Sequence, residues 1–140
     1  MEKGFSLAEL LVYLVIVGVL SGLGIPVYQT HIARARLMEG LSLIQPIKFA
    51  VQEVGLTKGF GSISNNSSLG LPAPESLAGN SVSKITVLSG GKIQVNYDNP
   101  LGALLFSPTE AFGILRWDCQ AMTAEFNDKL PQGCKPLKAE

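Results

Sequence analysis

The sequence predicts an α+β protein in which one long N-terminal helix packs on a four-stranded antiparallel sheet. Three observations predict it. Leu10 to Val27 carries no charge, and its only polar side chains are Tyr13 and Ser21. From Leu37 to Val54 apolar residues recur with helical spacing. From Lys84 onward the period is close to two, in short β-rich runs.

The first element is the charge-free run. Extended back to Phe5 it gains one charge, Glu9. As a helix it spans roughly 30 Å, the thickness of a bilayer core. The second is an amphipathic continuation. Leu37, Leu41, Ile44, Ile47, Val51 and Val54 form one face, and His31, Arg34, Glu39, Lys48 and Glu53 fall mostly elsewhere. Gly55 is placed to stop it. One helix from Phe5 to Val54 would be roughly 75 Å long if straight. Pro26 and Pro46 each remove a backbone bond and are expected to kink it. Residues 55–80 are rich in Gly, Ser, Asn and Pro and read as a long surface loop with turns near Pro72 and Pro74. Asn66-Ser67-Ser68 in that loop matches the short N-glycosylation pattern. Lys84–Leu88 and Lys92–Tyr97 read as strands joined at Ser89-Gly90-Gly91. Ala103–Ser107 and Ala111–Trp117 read as two more, with Pro108 between them. A sheet of these four strands on the amphipathic half of the helix would bury both apolar faces.

Composition excludes several classes. The 140 residues suit one domain, and 46% are hydrophobic while only 16% are charged. Eleven basic and eleven acidic residues cancel, against a coat for nucleic acid or anionic membrane. The mean hydropathy of +0.29 comes from the front of the chain. One His and two Cys are too few for a zinc site of those residues alone. No nucleotide-binding loop, GxSxG or HExxH is present, so no enzyme and no cofactor are expected. His31 beside Arg34 reads as a solvated side chain rather than part of a triad.

Three readings fit the N-terminus. A cleavable secretory signal would use small residues near Gly22 and Gly24. A plain signal anchor leaves Glu9 unexplained, since a carboxylate costs about 2.5–3.5 kcal/mol at a membrane helix centre and less near an end. A helix that starts in lipid and later enters a protein environment gives Glu9 a purpose.

Gly4-Phe5-Ser6-Leu7-Ala8-Glu9-Leu10, the apolar run after it and Ile25-Pro26-Val27-Tyr28-Gln29 resemble the N-terminus of type IV pilins. The resemblance covers roughly the first 50 residues, and the C-terminal Cys pattern more loosely. It implies a leader of residues 1–4, cleavage between Gly4 and Phe5 by prepilin peptidase and N-methylation of Phe5. It implies a transmembrane, filament-core half over residues 5–28 and a soluble head over 29–140. It further implies an inner-membrane precursor with a periplasmic head, then a homopolymeric extracellular pilus built by inner-membrane assembly machinery. Prolines near positions 26 and 46 are part of the resemblance.

The role of Glu9 has an independent physical argument. Cleavage frees an amine on Phe5, and a carboxylate four residues later lies about 6 Å further along the axis. Parallel helices staggered by that amount would bring Glu9 to a neighbour's amine and set the register. The simpler reading is that Glu9 offsets its own helix N-terminus.

Cys119 and Cys134, in an exported domain, read as a disulfide. Trp117-Asp118-Cys119 and Leu130-Pro131-Gln132-Gly133-Cys134-Lys135 resemble the two ends of the disulfide-bounded loop of type IVa pilins. A reactive or metal-binding pair is the alternative, without a CxxC spacing. Asp118, Glu125 and Asp128 could bind calcium, as in pseudopilins, but their spacing does not match an ordered calcium loop. Lys129, Lys135 and Lys138 form a small basic tail, read as solvated surface in preference to a DNA contact. The expected function is thus a structural pilus subunit for adhesion, motility or DNA uptake. The alternatives are a minor pilin or type II secretion pseudopilin, and a separately secreted disulfide-bonded domain.

Overall fold

A computed structural model of the chain describes residues 4–112, 114–124 and 129–137, with the side chains of 24–27 and 30 outside that set. Helix α1 (Leu7–Lys58) runs through Pro26 and Pro46 as one element, although neither proline can donate a backbone hydrogen bond. The chain divides into two compact units, Met1–Ile32 and Ala33–Glu140. In the first unit the described helical side chains from Leu7 to Leu23 are exposed all round, and a helix with no polar face is one that needs a cover from outside the chain.

In the second unit α1 is amphipathic. Leu37, Ile44, Ile47 and Val51 are completely buried, and Leu41 and Val54 pack against the same core. Each buried aliphatic side chain contributes about 1.5–3 kcal/mol. Their partners lie on one face of a sheet: β1 (Val82–Leu88), β2 (Lys92–Tyr97), β3 (Ala103–Ala111), β4 (Ile114–Ala121) and β5 (Cys134–Lys135). The strands lie in sequence order. Ile93, Val95 and Tyr97 alternate inward along β2. In β1 the inward residues are Val82, Ile85 and Val87, whose spacing breaks the alternation. A register shift between Val82 and Lys84 supplies the extra residue that lets Val82 face the core.

The structure corrects the expected elements in four places. The sheet has a fifth strand: β5 pairs parallel to β4 at Cys119↔Cys134 and Gln120↔Lys135. Two residues held by a cross-link carry no hydrophobic period that a sequence could display. The helix passes Gly55 and ends at Gly59, where φ is 84°. Gly55 lies inside the helix as a packing site, where the Phe60 ring occupies the space a side chain would need. The loop beyond it holds 3-10 turns at Phe60–Ser62, Asn66–Leu69 and Pro74–Leu77, the last where a turn was expected, whereas Ala111 ends β3 instead of opening the next strand, which runs Ile114–Ala121. Pro108 lies inside β3, opposite Trp117, and not between strands. It is tolerated there because β2 stops pairing at Ile93↔Phe106, so one side of β3 beyond that point has no partner strand among the described residues.

Two contacts fix the helix on the sheet. Gly40 leaves room for the Tyr97 ring, whose hydroxyl donates to the Leu37 carbonyl at 3.0 Å. Glu39 accepts from the backbone N–H groups of Asn80 and Ser81, tying the entry of β1 to α1. Burial and the nearby Glu39 carboxylate push the Tyr97 phenol well above its ordinary value of 10.0. Lys48 reaches over two rings, with Nζ 4.7 Å from the centroid of Phe106 and 5.2 Å from that of Trp117. Its partial burial lowers its pKa.

Candidate functional site

The N-terminal segment begins with a structure that the local sequence encodes. Ser6 precedes the helix, and its hydroxyl accepts from the Glu9 backbone N–H at 3.3 Å. The Glu9 carboxylate accepts in return from the Ser6 N–H at 2.9 Å. This reciprocal pair is a capping box, which satisfies two of the backbone donors a helix start leaves orphaned. The Ser-x-x-Glu pattern was present in the sequence and predicts it; attention to charge alone missed it. Within a single chain, then, Glu9 serves its own helix. One carboxylate oxygen makes that bond, and a carboxylate offers about four acceptor sites, so capacity remains for a second donor.

The Gly4–Phe5 peptide lies just outside this box. Phe5 is 88% exposed, and a side chain at Gly4 would meet nothing within 4 Å. The bond is therefore accessible, and breaking it leaves the capping box intact. After it come Leu7, Leu10, Leu11, Val12, Tyr13 and Leu14, all more than half exposed. Contiguous apolar surface of this extent marks a place where something else binds. Gly18 and Gly22 lie on it with open space around them. Among the described residues no helix is long and apolar enough to cross a membrane. Described side chains of the apolar run stop at Leu23, whereas the sequence run continues to Val27.

Other predicted positions are placed as follows. Pro46 is exposed within α1. The Pro26 side chain, residues 1–3 of the leader, Glu125, Asp128 and Lys138 lie outside the described residues. Cys119 and Cys134 are joined, with Cα atoms 4.5 Å apart, and both lie in paired strands. The Asp118 carboxylate accepts from the Thr109 hydroxyl at 2.8 Å. Among the described residues no group of His, Cys, Asp and Glu is arranged to hold a metal. His31 is exposed. Lys129 lines a cleft with Arg34, and Lys135 lies on β5.

Asn66 overturns its glycosylation pattern. It is 4% exposed. Its Nδ2 donates to the Ile85 carbonyl at 3.1 Å and the Pro72 carbonyl at 3.3 Å, while Oδ1 accepts from Val87 N–H at 2.7 Å. The side-chain amide thus pairs with β1 as a neighbouring strand would, and the folded chain offers no free Nδ2 for a glycan.

Comparison with known proteins agrees with this architecture. Over 90 residues the chain is 37% identical to a fimbrial protein of Neisseria meningitidis serogroup A, covering 64% of this chain and 52% of that protein. It is 36% identical over 90 residues to the type IV major pilin protein PilE of Neisseria gonorrhoeae, covering 64% and 53%. It is 36% identical over 73 residues to prepilin peptidase-dependent protein D of Escherichia coli K12, covering 52% and 50%. The matched region spans about half the length of these relatives. A family model described as a prokaryotic N-terminal methylation motif matches residues 1–25, the segment that holds Gly4, Phe5 and the capping box. A second, described as pilin (bacterial filament), matches residues 33–135, nearly the whole of the head with its helix-on-sheet core and its disulfide, and the chain belongs to the pilin family.

Proposed function

We propose that the chain is a structural subunit of a type IV pilus, made as a membrane-anchored precursor and polymerised through its N-terminal helix. The observation that carries this reading is the continuous exposed apolar surface of α1 from Leu7 to Leu23, directly after an accessible Gly4–Phe5 bond. Lipid covers that surface in the precursor, with residues 5–28 in the inner membrane and the head in the periplasm. Neighbouring helices cover it in the extracellular fibre. Prepilin peptidase cuts after Gly4, and Phe5 is methylated. The methylated amine stays cationic, and Glu9 of an adjoining subunit neutralises it while keeping its own cap. Bends at Pro26 and Pro46 fit the helix to its neighbours. The inner-membrane pilus machinery drives insertion.

The match of residues 1–25 to an N-terminal methylation motif supports retention of the segment over signal-peptide cleavage near Gly24. Adhesion, motility or DNA uptake would be properties of the whole fibre. Mass spectrometry of the chain from sheared surface fibres tests the proposal. Loss of residues 1–4 with addition of one methyl group is expected, and a mature chain starting at Ile25 would refute it.

A further inference from the structure

The head carries a knob at one end and a cleft at the other. Strands β3 and β4 are joined by a tight turn after Ala111↔Ile114. Its first residue, Phe112, is 104% exposed, and Ile114 is 65% exposed. Phe112 has φ 54°, a left-handed conformation that a bulky side chain adopts only under strain. A two-residue hairpin turn favours Asn or Gly there. An aromatic ring held in that conformation and offered wholly to solvent points to function.

The cleft lies between α1 and the segment before Cys134. Its volume is about 400 Å³, and Arg34, Leu37, Met38, Leu41, Lys129 and Leu130 line it. That volume falls in the ~300–1,000 Å³ range of clefts that hold ligand-sized groups. Its floor is aliphatic and its rim cationic.

Knob and cleft stand at opposite ends of the head portion of α1. The Tyr97 end of β2 meets Leu37, and Gly91, just before its other end, faces Val51. Strand β3 starts opposite Asn96, passes beneath Lys48 at Phe106 and continues past the Val51 level. From Ala103 to Phe112 it advances roughly 30 Å. The charges are complementary. Glu110, exposed two residues before Phe112, would meet Arg34 and Lys129; Arg116 stands further back, opposite Thr109.

We propose that the Phe112 and Ile114 side chains of one copy dock in the Arg34–Leu41/Lys129 cleft of a second copy, head to tail. The inference rests on the filament reading and names a head contact within it. An antiparallel pair would close on itself. Parallel copies instead leave one knob and one cleft free at the two ends, which is the condition for an open helical array.

The test uses the full chain in cells that assemble it, with a photo-reactive phenylalanine analogue in place of Phe112. Irradiated fibres are expected to give a ladder of multimers, with the cross-link mapped to residues 34–41 or 129–132 of another copy. Glu110→Lys should lower the yield about twofold to fivefold, the range for an exposed ion pair, and adding Lys129→Glu should restore it. Phe112→Gly should weaken the contact about tenfold or more through lost apolar burial, while the isolated chain melts no lower because strain is relieved. Cross-links elsewhere on the head, products that stop at the dimer, or a Glu110→Lys defect that Lys129→Glu leaves unchanged would each overturn the docking in fibres that still form. Absence of the chain from fibres would overturn the filament reading, and the docking with it.

Discussion

Replacing Asn66 by Ala removes the side chain that closes the outer edge of β1. Three hydrogen bonds disappear, two of them to the Val87 N–H and the Ile85 carbonyl. Both β1 groups lie in buried residues, and a methyl group cannot serve either. An unsatisfied buried backbone group costs about 1–3 kcal/mol, so the pair costs about 2–6 kcal/mol. For a domain near 100 residues each kcal/mol moves Tm by about 4–8 °C, and the head should melt at least about 8 °C lower. Near-UV circular dichroism of the full chain in detergent reads this through Trp117. Amide exchange at Val87 reads the same event locally, since that proton loses its acceptor. Asn66→Asp is the comparison: it keeps an acceptor for Val87 N–H but turns a carboxylate toward the Ile85 and Pro72 carbonyls. At neutral pH it should be no better than Ala, and acid should recover part of the loss. A melting temperature within about 2 °C of the parent, with Val87 equally protected, would refute the argument.

Three further outcomes are expected. Glu9→Gln keeps a capping box, because Gln serves at that position, but removes the charge; fibre yield should fall with helix content unchanged, whereas Ser6→Ala should cost about 1 kcal/mol at the helix start and leave assembly largely intact. Tyr97→Phe should cost about 0.5–1.5 kcal/mol at neutral pH by chemical denaturation. Because the folded phenol titrates above its ordinary value of 10.0, its contribution is complete below that pH and is lost as pH rises through the folded value, so Tyr97→Phe should flatten the alkaline decline in stability. Reducing Cys119–Cys134 should lower stability by roughly 3 kcal/mol in the chain-entropy account and release β5, visible as amide exchange at residues 134–135.

Sequence periodicity disclosed the elements whose burial is regular. The six-residue helix face entered the core whole, and β2 has the expected bounds. Hidden elements depend on something other than period. Gly59 and Gly55 look equivalent as stops until Phe60 folds back and makes the first a turn and the second a packing site. Asn66 reads as a loop residue because its partners lie 19 and 21 residues away. The strain at Phe112 comes from the turn geometry between two strands, which composition does not encode. At the N-terminus the converse holds: Ser6 and Glu9 are three apart, and their contact was legible from spacing alone.

The outer edge of β1 and the far side of β4 are each covered over part of their length, and this constrains how heads can meet. Asn66 pairs with the edge of β1, and β5 covers β4 at Cys119 and Gln120. Among the described residues, the paired stretches Ser107–Ala111 and Ile114–Asp118 have no third strand beside them, beyond the last β2 pairing on one side and short of β5 on the other. A free two-stranded ribbon invites strand addition unless its edges are guarded. Here Pro108 lacks a donor, and Glu110 and Arg116 place charges on the ribbon. A neighbour is thereby refused the backbone and offered side chains, chiefly the strained ring at the tip. Adding a strand would join heads laterally into sheets, with no fixed number of neighbours. A ring in a cleft admits one neighbour at each end, which suits the proposed fibre, in which the N-terminal helices would set the direction of growth.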